Sequence, residues 1–383
     1  MTYNVDPELQ QPIRDMMREF CPKEIEPLGL KHDREPDAFA HDIFQKLAEK
    51  GLVGYVMPKE YGGGGHKKIE YATMIEELAY HDAPSSLLSA VSQLAVDPIM
   101  NFGTDEQKQK WIPKAATGEL IPAFALTERD AGSDAANQSL TFEEKDDHYI
   151  VNGEKIFIMH GDVCHYAVTF GKLKADEGDR PKVSALIVPA DSEGFKAFTL
   201  MNKMGMRYAT TGRIEYHDVK VPKENFLGQP GKGFKMAMKT LDGARIGIAA
   251  QSTGIAQRAL DEAIKYSKER IAFGAPIAKL QAIQWMIADM ATKVEAARLL
   301  TYKAAQIQDK GESINLSASQ AKLFASEAAN FCVDRCMQIH SGYGYIGEFS
   351  VIEKLYRDQR VAEIYEGTSE VQRLVIANNM LRK

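Results

Sequence analysis

The hydrophobic period of this chain changes twice, and that change limits the fold more than any single motif. Up to about residue 120, apolar side chains recur at helical spacing: Ile13, Met16, Met17 and Phe20, then Ile43, Leu47 and Leu52, then from Met74 to Leu88. Between about 121 and 230 the period is two. Tyr149-Ile150-Val151 leads through Asn152-Gly153 into Lys155-Ile156-Phe157-Ile158, which predicts a hairpin turning at the Asn-Gly pair. Strands are also expected at 167–170, at 184–188, and from Arg213 to Tyr216, ending at Val221-Pro222. Beyond 231 the helices return and are long. One runs from Ala249 to Arg270 and stops at Phe273-Gly274-Ala275-Pro276; others span Leu280 to Lys310 and Ser317 to Ile339, and the last follows Thr368. The chain is therefore mainly α with an inserted β domain: an N-terminal α-helical domain (1–120), a middle β-barrel-like domain (121–230) and a C-terminal four-helix bundle (231–383). At 383 residues, more than one core is expected on size alone.

Charge and composition remove several classes of function. The net charge is −6 and the basic residues are dispersed, so no nucleic-acid surface is implied. No run of about 18 apolar residues occurs, so no membrane span is implied. Met1 leads into the polar Asn4-Val5-Asp6-Pro7-Glu8, unlike a signal or transit peptide, which points to a cytoplasmic protein. Cys332 and Cys336 have a spacing that could hold a metal, but only His340 lies near them. They read as helix-core residues; no metal is expected, and all four cysteines read as reduced thiols. Tyr61-Gly62-Gly63-Gly64-Gly65 reads as a flexible connector, because the Lys-Ser/Thr of a phosphate loop does not follow.

Near the C-terminus, Tyr365-Glu366-Gly367-Thr368 precedes a helical pattern. A carboxylate on a tight loop beside an aromatic ring is how a general base is built, since partial desolvation raises its proton affinity. On these residues alone, a solvated loop charge is the commoner reading.

Five further motifs change that balance: Ala125-Leu126-Thr127-Glu128-Arg129-Asp130-Ala131-Gly132-Ser133-Asp134, Met204-Gly205-Met206-Arg207, Leu241-Asp242-Gly243-Ala244-Arg245, Arg270-Ile271-Ala272-Phe273-Gly274 and Gln338-Ile339-His340-Ser341-Gly342. With the domain order and the Glu366 loop, they resemble the acyl-CoA dehydrogenase family of flavoenzymes over essentially the whole chain, in its short- and medium-chain, butyryl-CoA dehydrogenase-like branch. The resemblance implies FAD, with Phe124, Ala125, Leu126 and Thr127 along the isoalloxazine and Phe157, Ile158 and Met159 at its other edge. Gly132 and Ser133 would meet the cofactor, and Ser133 would also touch CoA. Arg270 would neutralise the pyrophosphate beside Phe273, although without the family it reads as an arginine facing its own helix dipole. Gln281 would orient the adenosine half. Gln338, Ile339, Ser341, Gly342, Thr368, Ser369 and Glu370 would reach the cofactor from a neighbouring chain or segment, which implies a homotetramer. Leu241, Asp242, Arg245, Tyr365 and Gly367 would contact the substrate.

Relatives place the base either on the loop before the last helix or just before the arginine of the Leu241–Arg245 motif. The second position is Ala244 here, so Glu366 stands alone. The implied reaction is α,β-dehydrogenation of an acyl-CoA to a trans-2-enoyl-CoA, with electrons leaving to an electron-transfer flavoprotein. Other outcomes of the same fold are an acyl-CoA oxidase and a non-catalytic assembly factor. Three positions depart from the pattern: Arg129 where proline is common, His160-Gly161 in place of Thr-Asn or Ser-Asn, and Ser341 in place of glycine. Asp97, in the apolar Leu94-Ala95-Val96-Asp97-Pro98-Ile99, reads either as a helix-end residue facing solvent or as a catalytic or specificity group in the acyl pocket. The latter would suit a short, branched or cyclic acyl group such as cyclohexanecarboxyl.

Overall fold

The computed structural model describes residues 4–35, 38–174 and 182–381. The outermost ends of the expected first and third domains, 1–3 and 382–383, lie outside the described residues. Six helices open the chain: α1 (Pro7–Glu24), α2 (Glu26–Arg34), α3 (His41–Glu49), α4 (Lys68–His81), α5 (Ala83–Phe102) and α6 (Asp105–Ala116). The starts of α1, α5 and α6 are written in short polar side chains, Asp6, Asp82 and Thr104. Asp82 accepts from Ser85 N (3.0 Å) and so splits the helical run expected from Met74 to Leu88. Thr104 and Gln107 form a reciprocal cap on α6. The glycine stretch is not loose: Gly63, Gly64 and Gly65 donate to the carbonyls of Pro58, Gly54 and Met57 at 2.8–3.1 Å.

The β domain is one eight-stranded sheet built from β1 (Pro122–Ala125), β2 (Thr141–Glu144), β3 (His148–Met159), β4 (Tyr166–Leu173), β5 (Lys182–Pro189), β6 (Phe195–Thr199), β7 (Thr211–Pro222) and β8 (Phe226–Leu227). Its order is β6-β7-β3-β2-β4-β5-β8, with β1 parallel to β4 on that strand's other side. Strand alternation separates two cores. Ala123, Phe142, Val151, Leu186, Ile214 and Val219 fill one face, while Phe124, Val168, Phe170 and Ile187 face α5 and α6.

The expected hairpin at Asn152-Gly153 does not form. β3 runs straight through that pair, which makes a bulge against β7, and β3 turns instead from β2 at 145–147. Two contacts override the local turn preference. Asn152 exchanges two 2.8 Å hydrogen bonds with Asp218, and Gly153 (φ 140°) lies where a Cβ would meet Leu140 Cα at 2.8 Å.

The C-terminal domain has four long helices, α7 (Gly233–Glu269), α8 (Gln281–Asp309), α9 (Asn315–His340) and α12 (Ser369–Leu381), with short α10 (Gly342–Tyr345) and α11 (Ile352–Gln359) before the last. α7 starts well before the expected Ala249, so the Leu241–Arg245 motif is helical. Its stop signal is a small hairpin, β9 (Ile271–Ala272) and β10 (Ala275–Pro276), turning on Phe273-Gly274 with both φ positive. Cys332 and Cys336 are buried in the bundle core as free thiols, and Cys21 and Cys164 are free as well. Among the described residues, no His, Cys, Asp or Glu cluster is placed to hold a metal, and no helix is long and apolar enough to cross a membrane.

Candidate active site

Glu366 sits where the chain turns from the short helices into α12. The backbone is left-handed at Glu366 (φ 54°) and again at Gly367 (φ 91°). For a glutamate this costs roughly 1–3 kcal/mol, so tertiary contacts must hold it there. They act on main-chain carbonyls. Arg245 Nε (3.4 Å) and Gln372 Nε2 (3.1 Å) donate to Glu366 O; Lys322 Nζ (2.8 Å) and Gln372 Nε2 (2.9 Å) donate to Gly367 O. The Tyr365 hydroxyl donates to Gln251 Oε1. Glycine suits residue 367 because φ is 91°, a conformation that side chains rarely adopt, and a Cβ would also come 2.7 Å from the Gln372 amide that clamps the loop.

The carboxyl is left out of this clamp. Oε2 of Glu366 is buried and has no hydrogen-bond partner among the described residues. It faces a cavity between α4, α5, the end of β3 and α7. The near walls are apolar: Leu87, Ala90, Val91, Leu94, Met159, Ala244, Ile248 and the Tyr365 ring. Burial pushes the Glu366 carboxyl up to about 7, against the pull of the Arg245 and Lys322 charges. A carboxyl so tuned is a competent proton acceptor near neutral pH.

Asp97 lines the same cavity. It does not end a helix before Pro98 and face solvent: α5 continues to Phe102, and Asp97 accepts from Gln93 Nε2 at 2.5 Å. Burial pushes its carboxyl up, opposed by Lys68 and by the Gln93 hydrogen bond. Ala244, the alternative base position, lines this cavity too.

The same order of domains is found in known proteins. The models of the acyl-CoA dehydrogenase N-terminal, middle and C-terminal domains match residues 7–119, 123–219 and 231–381. Over 377 residues the chain is 46% identical to the caffeyl-CoA reductase-Etf complex subunit CarC of Acetobacterium woodii, covering 98% of this chain and 99% of that one. Over 383 residues it is 40% identical to the short-chain specific acyl-CoA dehydrogenase of Clostridium acetobutylicum, covering both chains completely. The structure of butyryl-CoA dehydrogenase from Megasphaera elsdenii matches it over both whole chains with a TM-score of 0.94 at 37% identity. The chain belongs to the acyl-CoA dehydrogenase family. It is an FAD-dependent oxidoreductase of that family's short-chain, butyryl-CoA dehydrogenase-like branch.

The surface fits such a cofactor. β1 pairs with β4 along one edge; beyond it Leu126 O accepts from Lys155 Nζ (2.8 Å) and Thr127 O from Ile156 N (3.0 Å), so the remaining main-chain groups of Phe124–Thr127 are those that could meet a polar ring edge. Phe157 (φ 58°) is turned out of β3 at a break in register and is 65% exposed, two residues before Met159 enters the cavity wall. Arg270 is exposed, forms no ion pair among the described residues, and lies over the Tyr343 ring at 5.8 Å; Phe273 beside it is 93% exposed. A cation flanked by bare aromatics suits a pyrophosphate and a heterocycle.

Other expected positions divide. Gly132, Ser133, Gln281, Gln338, Ser341, Gly342 and Glu370 are exposed, and Thr127 is half-buried. Leu126 and Phe124 pack toward α5, with Phe124 4.9 Å from the Phe170 ring. The side chains of Ala125 and Ile158 lie inside the sheet and that of Ile339 inside the bundle, so only their main chains can meet a ligand. Thr368 is spent partly on α12, its Oγ1 accepting from Val371 N. Leu241 is half-buried against the core that joins the sheet to α5. Asp242 and Arg245, expected at the CoA end, are locked to each other at 2.6 Å and to Asn315 and Ser319, and Arg245 supports the Glu366 loop. Ser341, standing where glycine was expected, has φ 56° and ψ −140°, a conformation that glycine adopts freely and serine only at a cost.

Lys322, Gln372 and Lys155 escaped the sequence reading. Lys322 is wholly buried among Ala318, Ala321 and Ala325, and a lysine on an alanine stripe was the available signal. Lys155, also wholly buried, donates to Leu126 O, Glu128 and Gln138 at 2.8–2.9 Å and fixes the loop after β1. Because the Lys322 charge pulls the Glu366 carboxyl down, Lys322→Met raises that pKa further. The acid limb of the kcat/KM profile will therefore move to higher pH; a limb that stays put shows that Lys322 only braces the loop.

Proposed function

We propose that Glu366 removes a C2 proton from an acyl-CoA thioester to give the trans-2-enoyl thioester. The observation behind this reading is its buried, unpartnered Oε2 at the wall of an apolar cavity. A thioester α-proton is too weakly acidic for a carboxylate to take unaided, so the developing enolate oxygen needs donors. The Glu366 N–H donates to nothing among the described residues and can serve the thioester oxygen. FAD held along Phe124–Thr127 and Phe157–Met159 would supply the hydride acceptor for C3, with an electron-transfer flavoprotein as the redox partner. That partner is inferred from the Acetobacterium woodii relative, whose name places it in an Etf complex. The same carboxyl, once protonated, would return its proton to C2 in the reductive direction, the direction in which the Acetobacterium woodii relative, a subunit of a caffeyl-CoA reductase-Etf complex, is named.

On this reading the FAD rings lie along Phe124–Thr127 and Phe157–Met159, Arg270 and Phe273 hold the pyrophosphate end, and Gly132 and Ser133 face CoA. Gln281, Gln338, Ser341, Gly342, Thr368 and Glu370 serve a cofactor shared between copies. Exposed Trp285 (61%), Leu374 (64%) and Leu381 (83%) give the C-terminal domain an apolar surface suited to assembly as a homotetramer. Asp97 and Gln93 line the same cavity, and on this reading the acyl group is short to medium, branched or cyclic, rather than a long straight chain. The test is anaerobic bleaching of the bound flavin by butyryl, hexanoyl, isobutyryl, glutaryl and cyclohexanecarboxyl thioesters. Bleaching by none of them rejects the reading; rapid peroxide formation in air would make the protein an oxidase.

A further inference from the structure

The cavity read above as the acyl site carries more hydrogen-bonding capacity than a hydrocarbon tail can use. Lys68 is 8% exposed, and its ammonium lies 4.3 Å from the Tyr71 ring centroid; among the described residues it makes no hydrogen bond or ion pair. Gln93 is 4% exposed and spends its amide N–H on Asp97 Oδ1 (2.5 Å) and the Met100 sulfur, while its Oε1 is buried with no partner. Asp97 Oδ2 likewise accepts nothing among the described residues. An unused cationic donor, an unused amide acceptor and an unused carboxylate oxygen thus line the cavity that Glu366 also lines.

Gln93 Oε1 has lost its water, burial weighs against the charges of Lys68 and Asp97, and none of the three gains anything from a methyl terminus. We propose that the far end of the acyl group carries a hydroxyl, which accepts from Lys68 and donates to Gln93 Oε1 or Asp97 Oδ2. This rests on the reading of the cavity as the acyl site. A hydroxyl is favoured because it accepts and donates at once, as the lining requires. A terminal carboxylate would meet the Asp97 charge, could donate nothing to Gln93, and would itself be costly to desolvate. Asp97 thereby becomes a specificity group rather than a second base.

The test uses matched thioesters: hexanoyl- against 6-hydroxyhexanoyl-CoA, 3-phenylpropanoyl- against 3-(4-hydroxyphenyl)propanoyl-CoA, and adipoyl-CoA as the carboxylate. Binding to the Glu366→Gln holoenzyme is read from the shift of the flavin visible band, where turnover does not interfere. In the pair whose length fits, the hydroxylated member binds at least about tenfold tighter than its deoxy partner, and adipoyl-CoA binds more weakly than either. In Gln93→Met and Asp97→Asn holoenzymes that ratio falls toward one. No hydroxyl advantage in either pair, an adipoyl preference, or a ratio untouched by both substitutions overturns the proposal. Because binding is measured without the carboxylate, a wrong assignment of the base shows separately, as wild-type flavin that no thioester bleaches.

Discussion

Glu366→Gln will keep the protein yellow while slowing anaerobic bleaching by its best substrate by at least about 10³-fold, near the upper range for loss of a general base. The amide matches the carboxyl in shape, so the left-handed turn and its clamps from Arg245, Lys322 and Gln372, all on main-chain carbonyls, persist. What is lost is the unpartnered oxygen that takes the proton. A rate within threefold of wild type in a single turnover removes Glu366 as the base.

The same substitution has a second signature that needs no substrate. The native carboxyl titrates near 7, above its ordinary 4.5, so the unfolded chain releases this proton first as pH rises. The wild type therefore loses stability across about pH 4.5 to 7, by roughly 3 kcal/mol in all, and the Gln variant does not. The melting temperatures will agree near pH 4 and separate in favour of Gln at pH 8. Equal melting temperatures at pH 8 would mean that the carboxyl is not buried as described.

Ala244→Glu will restore about 10- to 100-fold of the bleaching rate lost in Glu366→Ala, comparable to a general-base contribution from imperfect geometry. Residues 244 and 366 line one cavity from α7 and from the loop before α12, so a carboxylate reaches the same space from either. It arrives without the Lys322 and Gln372 clamps, so recovery is partial. Its measure is the rate in the double variant against Glu366→Ala alone, with the flavin spectrum confirming cofactor content. No gain over the single variant would show that position 244 cannot present a carboxylate to C2.

Much of this was legible from local pattern. The change from helical period to period two placed the β domain, and the Glu366 motif carried its chemistry in four consecutive residues. Local pattern failed where distant chain intruded. Asn152-Gly153 has the chemistry of a turn, but Asp218 and Leu140 make it a bulge. Asp97-Pro98 reads as a helix end, but packing carries α5 past it and leaves Asp97 in the cavity. Lys322 looked like any helical lysine until α9 packed and buried it behind the loop.

Residue order alone determined the three-part architecture and, through the family resemblance of its motifs, singled out Glu366 as the proposed proton acceptor, because periodicity and a short motif are properties of neighbouring residues. Only the packed chain decided that this carboxyl has no partner and a pKa near 7, and that Lys68, Gln93 and Asp97 line the same cavity. Desolvation and unmet hydrogen bonds depend on what surrounds a group in space, and that is supplied by helices and strands far apart in the chain.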